Sequence, residues 1–285
     1  MIENIFMTIV NGLKNLKKHP VLFAPAVLYY LSFIFLLILF SILLTLDLKN
    51  QWGYQLFTLL SVAYLFLILL LSSFAAAGSI GMAKEVVETD GTKLSHMLRF
   101  GKKYTLRLAA ASVFIHLLRS ISALFWTPVL QIFGNPEYGT DYVTDALTND
   151  PSLLIPMIQE LAAPVLFATL ISAVYLLIVS FMFYFVSYII VIDDAKVFKS
   201  YRKSFRLLRT HPIRIVSFVL LITIIEVLIS FIGILAAAAA NYYALPLYFG
   251  ASVHLILFLF LTAAANIWTA RFYIVLSEGV TAPVD

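Results

Sequence analysis

The sequence predicts an all-α membrane protein: six transmembrane helices in three hairpins, each hairpin preceded by an amphipathic interfacial helix. Three observations carry this expectation: an extreme apolar composition, a set of apolar runs of bilayer-crossing length, and a basic amphipathic pattern that recurs ahead of them. Of the 285 residues, 62% are hydrophobic and 12% are charged, and mean hydropathy is +0.98. Soluble domains carry roughly 45–50% apolar and about 25% charged residues. A chain this apolar has no polar shell to offer water, so lipid is its solvent.

The spans follow from length. A helix crossing a hydrocarbon core of roughly 30 Å needs about 20 residues. Three charge-free runs exceed this: Pro20–Leu46, Asn50–Ala83 and Leu161–Ile192. The first is too long for the apolar core of a cleavable signal and reads as a retained span. Leu108–Phe133 is apolar apart from His116 and Arg119, and Ile213–Ala240 apart from Arg214 and Glu226. No Asp, Glu, Lys or Arg separates Glu226 from Arg271, which is too long a run for one crossing. The turn-forming stretch Asn241–Pro246 divides it, and the sixth span is expected over Leu247–Ser277.

Charge sets the orientation. All but Lys49 and Arg119 of the 19 Lys and Arg residues fall on one side: the N-terminal arm, the connections after spans 2 and 4, and Arg271. Basic loops face the cytoplasm, so the chain reads as a multi-pass cell-membrane protein with both termini cytoplasmic. The other side carries Asp47, Glu137, Asp141, Asp145 and Asp150. The sequence pI of about 9.1 therefore reflects topology and attraction to anionic lipid rather than nucleic acid, which is not expected as a partner.

The N-terminal arm has the periodicity of a helix with one oily face, formed by Ile2, Ile5, Phe6, Ile9, Leu13 and Leu16, and Lys14, Lys17 and Lys18 lie off it. Such a helix beside a span lies in the membrane interface. Residues 195–210 repeat the pattern, with Phe198, Tyr201, Phe205 and Leu208 as the stripe and Lys199, Arg202, Lys203, Arg206 and Arg209 opposite. A weaker copy spans 94–104, with Leu94, Met97, Leu98 and Tyr104 beside Lys102 and Lys103. These ten basic residues are the expected contacts to lipid headgroups. The first and third copies also align in sequence, Gly12-Leu-Lys-Asn-Leu-Lys-Lys-His-Pro20 with Ser204-Phe-Arg-Leu-Leu-Arg-Thr-His-Pro212. Proline disfavours helix in the residue before it, so each His-Pro ends its helix and turns the chain into the bilayer. The span ends Ser187–Asp194 and Arg271–Gly279 are also alike, with Tyr188 matching Tyr273. The expectation is one transmembrane domain, 1–285, built from repeat units 1–83, 84–192 (with an outer acidic loop, 134–160) and 193–285.

The run Tyr184–Pro212, with its aromatic span end, acidic turn at Asp193-Asp194 and basic amphipathic helix with Ser204, resembles a widespread group of prokaryotic integral membrane proteins. That group is similar to the membrane domain attached to some glycerophosphoryl diester phosphodiesterases. The resemblance implies the multi-helical membrane fold. The phosphodiesterase itself would be a soluble barrel, and no catalytic residue carries over.

The search for chemistry excludes more than it finds. There is no cysteine, which rules out disulfides, thiolate catalysis and Cys-ligated metals. No zinc-protease helix, nucleophile elbow or phosphate loop occurs, and the histidines at 19, 96, 116, 211 and 254 are scattered. The small residues of Ala75–Ala83 suit close helix packing. Asp141, Asp145 and Asp150 lack the ligand density of a calcium loop. No enzyme activity, metal or cofactor is expected. Two ionisable positions stand out. Arg119 follows Arg107 by about 18 Å of helix, and Glu226 follows Pro212 by about 21 Å, so the two have similar depth. A lone charge at mid-bilayer costs at least about 2.5–3.5 kcal/mol. Arg119 and Glu226 are therefore expected to form an intramembrane ion pair, with His116 one helical turn from Arg119. Two functions fit: a non-catalytic membrane partner or lipid-interacting scaffold, with anionic membrane lipids and another membrane or cytoplasmic protein as partners; or a transporter for a small solute or lipid that uses Arg119 and Glu226.

Overall fold

A computed structural model of the chain describes residues 2–47, 53–129, 154–242 and 248–281. Among them every regular element is helical and there is no strand. Helix α1 covers Ile2–Lys18, α2 Ala24–Asp47, α3 Gly53–Thr89 and α4 Leu94–Ser120. Then come α5, Leu154–Phe183, α6, Val186–Ile192, and α7, Val197–Thr210. The last two are α8, Pro212–Tyr242, and α9, Tyr248–Thr281. Six stretches are long and apolar enough to cross a membrane: Pro20–Ile42, Thr58–Thr89, Leu94–Val129, Leu161–Ile192, Pro212–Ala236 and Leu255–Ser277. The protein is a multi-pass helical membrane protein. The turn expected at Asn241–Pro246 runs into residues 243–247, and the acidic loop 134–160 falls outside the described residues up to 153.

The His-Pro pairs behave as helix breakers. The His19 N–H still donates to Asn15 O (2.9 Å), and the His211 N–H to Leu207 O (2.9 Å). Each histidine then leaves the helical region, at φ −125°, ψ 75° and φ −129°, ψ 51° respectively. Pro20 opens a 3-10 turn, Pro20–Phe23, that leads into α2, and Pro212 opens α8 directly. Proline suits the first helical position because its missing N–H would have no partner there.

Residues 94–104 have no such proline, and the structure differs from expectation here. They are not a separate helix but the first turns of α4, which runs unbroken to Ser120 and passes into a 3-10 turn, Ile121–Trp126. The fourth expected span, by contrast, is divided at Tyr184-Phe185 between α5 and α6.

The chain forms two compact units, residues 1–111 with 184–285, and residues 112–183. This division runs through the middle of the expected second repeat. In the first unit α9 is central, packing on α8, α3, α1, α2 and α6. In its membrane stretch 44% of residues are buried, against 17% or fewer in the other spans. The largest fully buried side chains of this unit include Met82, Met97, Ile189, Leu207, Ile215 and Tyr273, all near the basic end of their helices. Toward the other end, side chains such as Leu31, Phe35, Leu59, Leu65, Ile234 and Ile256 are exposed on the chain, as suits contact with acyl chains.

Lipid tails are as apolar as leucine, so helices in a bilayer associate through close packing. Small residues supply it. A Cβ at Gly78 would lie 2.5 Å from Met97 Cγ, and one at Gly81 2.1 Å from Phe100 Cγ. A Cβ at Gly101 would lie 2.5 Å from Phe74 Cε2. In the second unit, α5 is tied to the preceding segment by polar contacts: Tyr175 donates to Leu118 O (2.7 Å) and Ser172 to Ser122 O (3.3 Å).

Candidate functional site

The ion pairs of the first unit gather at the basic ends of its helices. After α3 and after α6 the chain turns on an aspartate, Asp90 and Asp194, each with φ 53°. Asp is among the few residues that tolerate this left-handed conformation. Each carboxylate is held by a basic helix. Lys18 and His19 flank Asp90; Lys103 (2.9 Å) and Arg107 (2.7 Å) hold Asp194. Lys18 lies six residues after Gly12 and Arg107 six after Gly101, so the same helix position supplies the cation in both. Hydrogen bonding from Lys18 holds the Asp90 carboxyl below the usual range, and hydrogen bonds from Lys103 and Arg107 do the same for Asp194. Neighbouring Asp193 accepts from Lys203 and from the Tyr273 hydroxyl, and Lys84 Nζ donates to Ile192 O at 2.8 Å.

This arrangement sorts the ten expected headgroup residues. Lys18, Lys103 and Lys203 are engaged by carboxylates. Lys14, Lys17, Lys102, Lys199, Arg202, Arg206 and Arg209 are exposed and have no carboxylate partner among the described residues. The amphipathic helices do not seat on their oily stripes alone. On α7 the buried residues are Ser200, Tyr201, Ser204 and Leu207. Tyr201 reaches Ala111 O (2.8 Å), and burial pushes its phenol up to about 12. Of the other stripe residues, Phe198 and Phe205 stay 78% and 48% exposed. On α1, Ile5, Thr8, Gly12 and Leu16 are buried, while Phe6 and Leu13 are 62% and 39% exposed. Gly12 meets Trp268, whose indole N–H donates to Ile9 O (3.0 Å); a Cβ there would lie 2.3 Å from Trp268 Cδ1. Both helices therefore dock through small residues four apart, Thr8/Gly12 and Ser200/Ser204. Each leaves a large apolar pair seven apart free beside its cations.

The expected intramembrane residues are distributed over both units. In the second, the exposed Arg119 donates from Nη2 to Ser180 Oγ (3.2 Å), and His116 Nδ1 lies 2.7 Å from Ser112 O. Ser180 is a partner that the sequence did not single out, because a serine in an apolar run carries no periodic signal. Glu226 belongs to the first unit. It is exposed on α8 and within electrostatic reach of Tyr184 and Tyr188.

The sequence showed no sign of a half-open chamber of about 330 Å³ in the first unit, bounded by α2, α3 and α9. Its polar lining is Tyr29, Tyr30, Ser72, Ser79, Thr262 and Asn266; Pro25, Ala75, Ala76 and Phe258 are among the apolar remainder. Asn266 is fixed on both sides. Its amide nitrogen donates to Thr262 O (2.9 Å) and its carbonyl accepts from Tyr188 (3.0 Å). The Ser72 and Thr262 hydroxyls donate to their own helices. No hydrogen bond to the described residues engages the hydroxyls of Tyr29, Tyr30 or Ser79. These hydroxyls remain available to an occupant of the chamber that bears oxygen acceptors.

The profile of one protein family, described as a domain of unknown function (DUF7847), matches residues 4–276. The chain belongs to this family. No curated protein and no solved structure matches it. The DUF7847 match begins within α1 and extends into the last turns of the sixth candidate span. It thus takes in both docked helices, the aspartate turns and the chamber. Among the described residues of this DUF7847 chain, no group of His, Asp and Glu side chains is arranged to hold a metal ion.

Proposed function

We propose that this protein is a non-catalytic scaffold of the cell membrane that gathers anionic lipid on its cytoplasmic face. The observation that carries this reading is the docking of α1 and α7 by one small-residue face. It leaves Phe6, Leu13, Phe198 and Phe205 exposed next to Lys14, Lys17, Arg202, Arg206 and Arg209, which have no carboxylate partner among the described residues. Aromatic and aliphatic side chains at the headgroup boundary with lysine and arginine beside them suit an anionic leaflet. Each such cation contributes about 1 kcal/mol near the surface. In this reading both termini are cytoplasmic. The three hairpins descend from one repeated unit, and a further membrane or cytoplasmic protein docks on the lipid-bound face. The equivalent aspartate turns at Asp90 and Asp194 support the duplication. Native mass spectrometry of the purified protein tests the lipid reading. Phosphatidylglycerol should be retained over phosphatidylcholine, and a variant with Gln at Lys14, Lys17, Arg202, Arg206 and Arg209 should lose that preference by more than about tenfold. An unchanged preference in the variant rejects the reading.

Transport of a small solute or lipid is the second reading, and the ionisable residues within the spans favour it. Arg119 and Glu226 would be the residues that it uses. A folded Arg119→Met, Glu226→Leu protein should then lose transport in reconstituted vesicles. Retained transport would reduce the two charges to a clamp between hairpins.

A further inference from the structure

The chamber between α2, α3 and α9 lies below the basic rim of its own helices. Ser79 precedes Lys84 by five residues and Phe258 precedes Arg271 by thirteen, which places the lining from about 8 to about 20 Å deeper than those cations. A phosphate held at the level of the lysines is out of reach of the chamber. No charged side chain lines it, so a charged head inside would stay uncompensated in a medium of low dielectric. What the walls do offer is three uncommitted hydroxyls, from Tyr29, Tyr30 and Ser79, and the pinned amide of Asn266. Tyr30 packs edge-on against Phe258 (5.5 Å), which holds one of these hydroxyl-bearing rings in place. The volume is at the small end of ligand sites, enough for the oxygen-bearing head of a lipid but not for its chains.

We infer that this chamber is a binding site for the head of an uncharged lipid, one whose hydroxyl and ester oxygens meet Tyr29, Tyr30 and Ser79. The site is separate from the anionic-lipid surface of α1 and α7 and shares no residue with it, so either assignment can fail without the other. Depth selects the ligand: a neutral head can descend beneath the phosphate level, and an ionised one cannot.

The test uses the full-length protein in phosphatidylcholine nanodiscs, with a diacylglycerol that carries a photoactivatable group near its head. The expected result is labelling of α3 and α9 peptides around Ser79 and Thr262, displaced by unlabelled diacylglycerol. Tyr29→Phe with Tyr30→Phe and Ser79→Ala keeps the shape and removes the hydroxyls. It should lower labelling by about fivefold for each hydrogen bond lost. Ala76→Leu, which fills the chamber, should abolish labelling in a protein that still retains phosphatidylglycerol. Equal labelling of the wild type and the hydroxyl-free variant would overturn the assignment. So would equal labelling by a phosphatidic acid probe with the same chains, and displacement by free glycerol would transfer the site to a soluble polyol.

Discussion

Asp194 illustrates how much one residue carries here. It turns the chain with φ 53° and at the same time receives Lys103 and Arg107. Its carboxyl, like that of Asp90, sits below the ordinary value of 3.8. A folded pKa below the unfolded one contributes stability that is complete above the unfolded value and vanishes as pH falls through the lowered one. The protein should therefore lose stability as pH drops below about 3.8, and Asp194→Asn should flatten that acid limb in denaturant titrations. Tyr201 acts at the other end of the scale. Its phenol is raised to about 12, so its contribution is complete below the unfolded value near 10 and lost as pH rises through 12. Tyr201→Phe should weaken the alkaline limb and leave the acid one. Tyr273 is fully buried and donates to Asp193. Tyr273→Phe should cost about 1.5–3 kcal/mol, the usual worth of a hydrogen bond to a charged group, read as a lowered unfolding midpoint. Asp193 and Asp194 were visible in the sequence as an acidic turn, whereas Asp90 was not singled out. The cations that hold Asp194 were not visible, because Lys103 and Arg107 lie far away along the chain.

At the level of elements, the small residues decide how α1 and α7 sit. Gly12 closes on Trp268, and Ser200 and Ser204 are buried on α7. Gly12→Leu should unseat α1, at roughly the 1–3 kcal/mol typical of overpacking. Limited proteolysis should then cut within α1 faster than it does in the wild type. If the cleavage pattern and unfolding midpoint do not move, the docking contact at Gly12 is not what holds α1. Periodicity foresaw that both helices are amphipathic and that each ends at its His-Pro. It could not say which part of a wide apolar face meets protein and which meets lipid, since both solvents accept the same side chains. The continuity of α4 follows from a local absence, no proline in 94–104, and was readable in principle; the analogy with the other two copies obscured it.

For the whole molecule, topology is the testable claim. The chain has no native cysteine, so single cysteines report on sidedness without background. Cysteines at Lys17 and Arg209 should react with an impermeant maleimide only from the cytoplasmic side, and one at Asp141 only from outside. Reaction of Lys17→Cys from outside would invert the proposed orientation and move the anionic-lipid surface to the wrong leaflet.

The sequence alone determined that this is a multi-pass helical membrane protein, with six candidate spans among the described residues and its lysines and arginines clustered at one set of helix ends. Those properties are sums over local composition: apolar length sets the spans, and the placement of lysine and arginine sets the asymmetry. Tertiary structure alone decided three things: which lysines are consumed by Asp90, Asp193 and Asp194, which aromatic residues remain exposed on α1 and α7, and that Tyr29, Tyr30, Ser79 and Asn266 face a common chamber. The reason is that lipid gives helices no hydrophobic incentive to meet on a particular face. Contacts between distant segments then depend on close fits such as Gly12 against Trp268 and Gly81 against Phe100, which hydropathy does not record.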